Sequence, residues 1–274
     1  MGKFSNNITK VTVICDIGQS NCDGRGIDAE LLSPYRTAIS GSKIFQKSAY
    51  SSTDNGTWQT LEYNVNNFFK SNQTNPLELN NANAFHGAEL FTGYEYNAKN
   101  GKTLYQIKHG RGGTNIHGDS QTTWSDKLSP DLMTRYIDWY LISAIRKLIT
   151  SGLYVDFQGV FWFQGYSDCD TQAHADDYFT NLNLLMDRLR IGLGQLGLEN
   201  TKIFIQESPN WGAVGTRTQS FNDTLRAAQA SVGSQENFLF LPNTEYTTSF
   251  NADNVHINSI GLKKIALQRI KLLK

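Results

Sequence analysis

Short apolar runs alternate along the whole chain with amphipathic helical patterns, and few folds accept that rhythm. The runs are Val11–Cys15, Thr103–Lys108, Gln158–Phe163, Lys202–Gln206 and Phe238–Leu241. Each is compact, β-branched or aromatic, and bounded by Gly, Asn or Pro, which is the signature of a strand. Between them, Pro130–Thr150 sets Leu132, Ile137, Leu141, Ile145 and Leu148 at helical spacing, and Gly152 follows as a stop. Ala173–Leu193 carries Tyr178, Leu182, Leu185, Met186 and Leu189 on one stripe, and Thr218–Val232 is a weaker helix ending at Gly233. The last helix starts near Ser259, with Ile260, Ile265, Leu267 and Ile270 expected inward and Lys263, Lys264, Arg269 and Lys271 on the solvated side.

Strands alternating with helices of this length predict a parallel sheet covered on both faces. Right-handed crossovers then make it an α/β, three-layer, doubly wound, flavodoxin-like structure with five parallel strands. One continuous rhythm, with no internal repeat or linker, makes residues 1–274 a single domain. Residues 43–83 break it, being polar and rich in Asn, Ser and Thr. There "KIFQK" and "WQTLEY" flank "STDNGT", and Asn55-Gly56 is a hairpin turn signal, so a β-hairpin insertion is expected after the first strand. The insertion is either surface decoration or one wall of a substrate cleft, with Trp58 or Tyr63 as a stacking surface.

Charge narrows the partners. Lys+Arg and Asp+Glu both number 25, so no basic surplus points to nucleic acid or an anionic membrane surface. The cysteines, Cys15, Cys22 and Cys169, make neither a complete disulfide set nor a zinc pattern. His86, His109, His117 and His174 lack metal-ligand spacing, so no metal or other cofactor is expected. No stretch approaches about 18 continuous apolar residues, and "MGKFSNNITK" lacks the apolar core of a signal peptide. The expectation is a cytoplasmic protein, a phage-particle component, or a secreted chain whose signal has been removed.

In a doubly wound sheet ligands gather at the carboxyl ends of the strands. Those ends read "DIGQSNCDG", "HGRGGTN", "FWFQGYSDCD", "QESPNW" and "PNTEYTTSFNADNVHIN". Asp253 and His256, three residues apart before a helix, can pair carboxylate with imidazole and leave the second ring nitrogen as a base, or can merely cap the helix. Ser20 is either a helix N-cap or a hydroxyl nucleophile, and a nucleophile needs a base within reach. Gly87 in "FHGAEL" can offer a backbone N–H, Gln164 a side-chain amide and Ser20 its own N–H to a developing oxyanion. Asp168 and Asp170 lie too close together to flank a glycosidic bond from two sides.

These blocks carry a family resemblance. "GQSNCDGRG" resembles the first block of SGNH hydrolases, and more narrowly the sialate O-acetylesterase/acetylxylan esterase branch (carbohydrate esterase family 6-like), which opens Gly-Gln-Ser-Asn-x-x-Gly-Arg. "HGAEL" is similar to its Gly-Pro-Glu block with Ala88 in place of proline, and "GRGGTN" to its Gly-Gly-Thr segment. "WFQGYSD" resembles Trp-x-Gln-Gly-Glu-x-Asp with Tyr166 in place of glutamate, and "DNVHIN" the Asp-x-x-His block. The resemblance implies the SGNH fold and a metal-free serine esterase acting on an acetylated carbohydrate. It implies Ser20 as nucleophile, His256 as base, Asp253 as orienting acid, and Ser20, Gly87 and Gln164 as the oxyanion hole. Gln19, Asn21, Arg111, Thr114 and Tyr166 are the candidate substrate contacts. Two other readings stand beside it: a carbohydrate-binding or receptor-recognition module of the same fold, and an esterase or lipase for a non-sugar ester.

Overall fold

The computed structural model describes residues 9–46, 56–63, 85–118, 123–125, 132–212, 217–244, 246 and 249–274. The chain runs β1 (Lys10–Gly18), α1 (Ser20–Asp23), β2 (Gly26–Ile27), β3 (Ile39–Gln46), β4 (Thr57–Leu61), β5 (Phe85–His86) and α2 (Ala88–Asn100). It continues through β6 (Leu104–Gly110), α3 (Leu132–Arg135), a π-helical stretch Tyr136–Leu141, α4 (Ile142–Thr150), β7 (Tyr154–Phe163) and α5 (Gln172–Gly194). The last elements are β8 (Ile203–Gln206), α6 (Gln219–Gly233), β9 (Phe238–Leu241) and α7 (Ser259–Ile270).

The main sheet has seven strands in the order β4-β3-β6-β1-β7-β8-β9, two more than expected. The five strands read from apolar runs lie together as β6-β1-β7-β8-β9, all parallel. That is the flavodoxin-like order, with its switch point between β1 and β7. The extra strands come from the hairpin: β3 pairs parallel with β6, and β4 folds back antiparallel as the edge. β3 was not legible as a main-sheet strand because Ser, Gly, Lys and Gln interrupt its apolar residues. Asn55 of the expected turn and residues 64–84 lie outside the described residues.

Strand alternation decides which face receives what. Val11, Val13, Cys15 and Ile17 of β1 pack under α3, α4, α5 and α6, in one cluster with Leu132, Ile145, Leu182, Leu189 and Leu225. Thr12, Ile14 and Asp16 face the α2–α7 side, where Tyr96 donates its hydroxyl hydrogen to Thr12 Oγ1 at 2.9 Å and Arg269 pairs with Asp16 at 2.7 Å. Arg269 is 2% exposed, so its expected place on the solvated side of α7 is corrected. Ile260 and Leu267, expected inward, are 63% and 37% exposed, while Leu262, Ile265, Ala266 and Ile270 face the core. A buried carboxylate on β1 draws in the arginine and turns the helix away from a purely apolar stripe. α2 also lacks a clean stripe, since Glu89, Thr92 and Gly93 are among its buried residues and Glu89 pairs with Lys108 of β6.

Trp58 and Tyr63 are corrected as a cleft wall. Trp58 packs on Phe45 and Tyr105 and donates its indole N–H to the Ala144 carbonyl at 3.2 Å, and Tyr63 is buried. No helix among the described residues is long and apolar enough to cross a membrane.

Candidate active site

Gly18, the last residue of β1, lies in register with Gly110 of β6 and Phe163 of β7. Its φ of +152° suits glycine, and a Cβ there would collide with the Phe163 carbonyl. The chain therefore turns sharply at the switch point, with Gln19 N–H donating to Phe163 O at 3.0 Å and Arg111 N–H to Gly18 O at 3.0 Å. Ser20 opens the one-turn α1 directly after that turn. The N-cap residue is Gln19, without a side-chain cap bond, so Ser20 is not spent as a cap.

The Ser20 hydroxyl lies 3.0 Å from Nε2 of His256, and Nδ1 of His256 lies 2.6 Å from Asp253 Oδ2. Asp253 Oδ1 accepts the backbone N–H of Val255 and of His256, both at 2.9 Å. Partial burial pushes the Asp253 carboxyl up, but these two N–H groups and the imidazole outweigh it and hold it below the usual carboxylate value. Histidine is thereby oriented through Nδ1, with Nε2 directed at serine.

Asn21 and Gln19, whose roles the sequence left open, are buried and hold loops together. Asn21 Oδ1 accepts Ile257 N–H at 2.9 Å, and its amide donates to Val255 O at 3.3 Å, which fastens the histidine loop to the serine turn. Gln19 donates to Ser167 Oγ at 2.8 Å and accepts Gly165 N–H at 3.3 Å, which ties the loop after β7 to the same turn. These bonds use both amide oxygens and one hydrogen of each amide, and both residues line the cavity beside Ser20.

Both transferred oxyanion donors require correction. Gly87 donates its N–H to Glu89 Oε1 at 3.0 Å. Gln164 donates one amide hydrogen to Asp168 Oδ2 at 2.6 Å and the other to Thr114 O at 3.1 Å, while its Oε1 accepts from Tyr178 at 3.0 Å. A primary amide has two hydrogens, and these contacts use both. The loop after β6 also reaches the serine: a Cβ on Gly112 would stand 3.6 Å from Ser20 Cβ and 3.0 Å from an Arg25 Nη2. The "GRGGTN" block was visible in the sequence, but nothing there distinguished Gly112 from its neighbours.

Asp168 is fully buried and accepts Ile116 N–H and His117 N–H at 3.1 Å, so with Gln164 it joins the loops after β6 and β7. Thr114 is buried too, its hydroxyl donating to Arg111 O at 2.8 Å and accepting the Trp124 indole N–H at 3.0 Å, which removes it from the substrate contacts. Arg111 stays partly exposed on the rim. Tyr166 lies under the Arg217 guanidinium, 3.8 Å from ring centroid to Cζ, and edge-on to Trp211 at 5.0 Å. Arg217 also pairs with Asp170.

A cavity of about 10 Å³ opens beside the serine, lined by Ser20, Phe163, Gly165, Tyr166, Ser208 and Trp211 among others. That is room for about one small group. Ser208 and Trp211, not singled out in the sequence, come from the loop after β8, and Trp211 donates its indole N–H to Val255 O at 3.0 Å. Among the described residues no group of three or more His, Cys, Asp or Glu is arranged to hold a metal ion.

A family model described as carbohydrate esterase, sialic acid-specific acetylesterase, matches residues 10–270. No curated protein sequence matches the chain. Among solved structures, a protein from Arabidopsis thaliana is similar with a TM-score of 0.68 at 16% identity, over 96% of this chain and 97% of that one. NanS gives 0.64 at 13% identity over 96% of each chain. A carbohydrate acetylesterase from Xanthomonas citri gives 0.56 at 16% identity, over 93% of this chain and 54% of that one. At such identities the likeness carries the fold, and the family match carries the class of chemistry.

Proposed function

Since the chain belongs to the carbohydrate esterase, sialic acid-specific acetylesterase family, we propose that it removes O-acetyl groups from a carbohydrate with Ser20, His256 and Asp253 as its triad. The observation that carries this reading is the continuous relay from Asp253 through His256 to Ser20, at 2.6 and 3.0 Å.

Ser20 Oγ attacks the acetyl carbonyl carbon while His256 Nε2 takes the hydroxyl proton. The Asp253 carboxylate, held ionised by its backbone partners, stabilises the imidazolium that results. Negative charge collects on the former carbonyl oxygen, facing the Ser20 N–H. Collapse breaks the bond to the sugar oxygen, and that oxygen leaves with the proton held by His256. The acetyl group stays on Ser20, its methyl in the cavity between Tyr166, Ser208 and Trp211. Water, deprotonated by His256, then releases acetate and restores Ser20.

The small cavity beside Ser20 suits a short acyl group. Acetate release from a panel of O-acetylated sugars, run beside butyryl and longer-chain esters of one alcohol, tests the assignment. Activity on the acetylated sugars with little on the long chains is expected. Activity on long-chain esters alone would overturn it.

A further inference from the structure

The "HGAEL" block has a buried acid, Glu89, that no step above uses. Its side chain is 1% exposed and lies 2.7 Å from Lys108 Nζ, itself 2% exposed. Lys108 reaches from β6 to donate a second hydrogen bond, at 2.6 Å, to the carbonyl of Asp23. Asp23 is the last residue of α1, the single turn that Ser20 opens. Two further contacts converge on that residue. Its backbone nitrogen lies against Gly110, where a Cβ would collide with it, and its carboxylate pairs at 2.9 Å with Arg25, beside Gly112.

Stability alone does not account for the pair. Apolar residues of similar volume often replace a buried ion pair with no loss of stability. A cation at the carboxyl end of a helical turn satisfies a carbonyl that the turn itself leaves open. A turn this short makes few bonds of its own, so its orientation depends on what grips it. The other oxygen of Glu89, Oε1, accepts Gly87 N–H, so the acid is held from two sides and in turn holds the lysine.

We propose that Glu89 and Lys108 are positioning residues for the nucleophile: through the Asp23 carbonyl they set the angle of the turn that aims Ser20 at His256. Neither touches substrate. The inference rests on Ser20 being the nucleophile, and it assigns to the "HGAEL" block the aiming of the serine.

The test compares three variants with the wild type: Glu89→Gln, which keeps the shape, the charge-free pair Glu89→Gln/Lys108→Met, and Tyr96→Phe. The last removes the buried bond to Thr12 on the same sheet face, away from the turn, and reports what general destabilisation does. Each is assayed well below its melting temperature for kcat and KM on an acetyl ester, and for the second-order rate of Ser20 labelling by a fluorophosphonate. The expected result is a kcat lowered about 10- to 100-fold in the double variant, and less in Glu89→Gln, with KM within about twofold. Labelling falls in parallel, and Tyr96→Phe keeps wild-type kcat. A folded double variant with kcat and labelling within twofold of wild type would overturn the proposal. If the double variant does not fold, the same result in Glu89→Gln overturns it. Full activity in Ser20→Ala would instead remove the nucleophile reading on which the proposal stands.

Discussion

Ser20 Oγ and His256 Nε2 stand 3.0 Å apart although 236 residues of chain separate them. Asn21, the neighbour of the serine, closes that distance by bonding Val255 O and Ile257 N–H on either side of the histidine. Asn21→Ala leaves all three triad side chains in place and removes the fastening between their loops. We expect kcat to fall about 100-fold with KM changed only a few-fold, because misplacing reacting groups by about 1 Å costs that much. Steady-state kinetics on an acetyl ester measures it, and an unchanged kcat would mean the loops hold without Asn21.

Gln164 separates two accounts of the oxyanion site. With both amide hydrogens committed to Asp168 and Thr114, Gln164→Ala leaves a buried carboxylate short of a donor. A loss of about 1–3 kcal/mol in urea unfolding is expected. Gln164→Glu, which sets a second carboxyl against Asp168, is expected to lose more. An oxyanion donor would behave differently, with stability intact and kcat down about 10²–10³-fold.

Trp211 walls the small cavity beside Ser20 and also supports the histidine loop through Val255 O. Trp211→Phe keeps an aromatic wall but removes the indole N–H, and Trp211→Ala opens the cavity as well. The ratio of butyryl to acetyl ester hydrolysis is expected to rise in the alanine variant and stay near wild type in the phenylalanine variant. An equal ratio in both would place the acyl group elsewhere.

His109, at the end of β6, is buried between Tyr136, Tyr140 and Trp124. Burial, then the nearby Arg111 and Arg135, lowers its pKa from 6.5 to about 3. Between those values the unfolded chain binds more protons than the folded one, so stability rises with pH across this window. The contribution is fully present above about pH 6.5 and is lost as pH falls toward about pH 3. His109→Gln is expected to be less stable at neutral pH yet to show a flatter slope of melting temperature across this window. An unchanged slope would show that other groups set it.

The five parallel strands and the main helices were legible because fully buried strands and one-faced helices leave simple patterns. The polar layer between β1, β6, α2 and α7 was not, since pairs such as Asp16–Arg269 and Lys108–Glu89 put charges where the pattern expects apolar residues. The strand ends offered Ser20, Asp253 and His256 and the resemblance chose their roles; the fold brings them together at hydrogen-bond distance. The resemblance misassigned Gly87 and Gln164, because short motifs name residues without saying where each N–H points. Only the hydrogen-bond partners of Glu89 and Asp168 reveal that those donors are already engaged. Tyr166 was visible as a departure from the family pattern, but its stacking under Arg217 depends on a residue 51 positions away.

The central claim is that Ser20 forms the acyl-enzyme. Its most direct measurement is acetate release from an O-acetylated sugar by Ser20→Ala beside the wild type, with both proteins shown to be folded. A loss of about 10⁴–10⁶-fold is expected. Acetate release by Ser20→Ala within tenfold of the wild type would contradict the account.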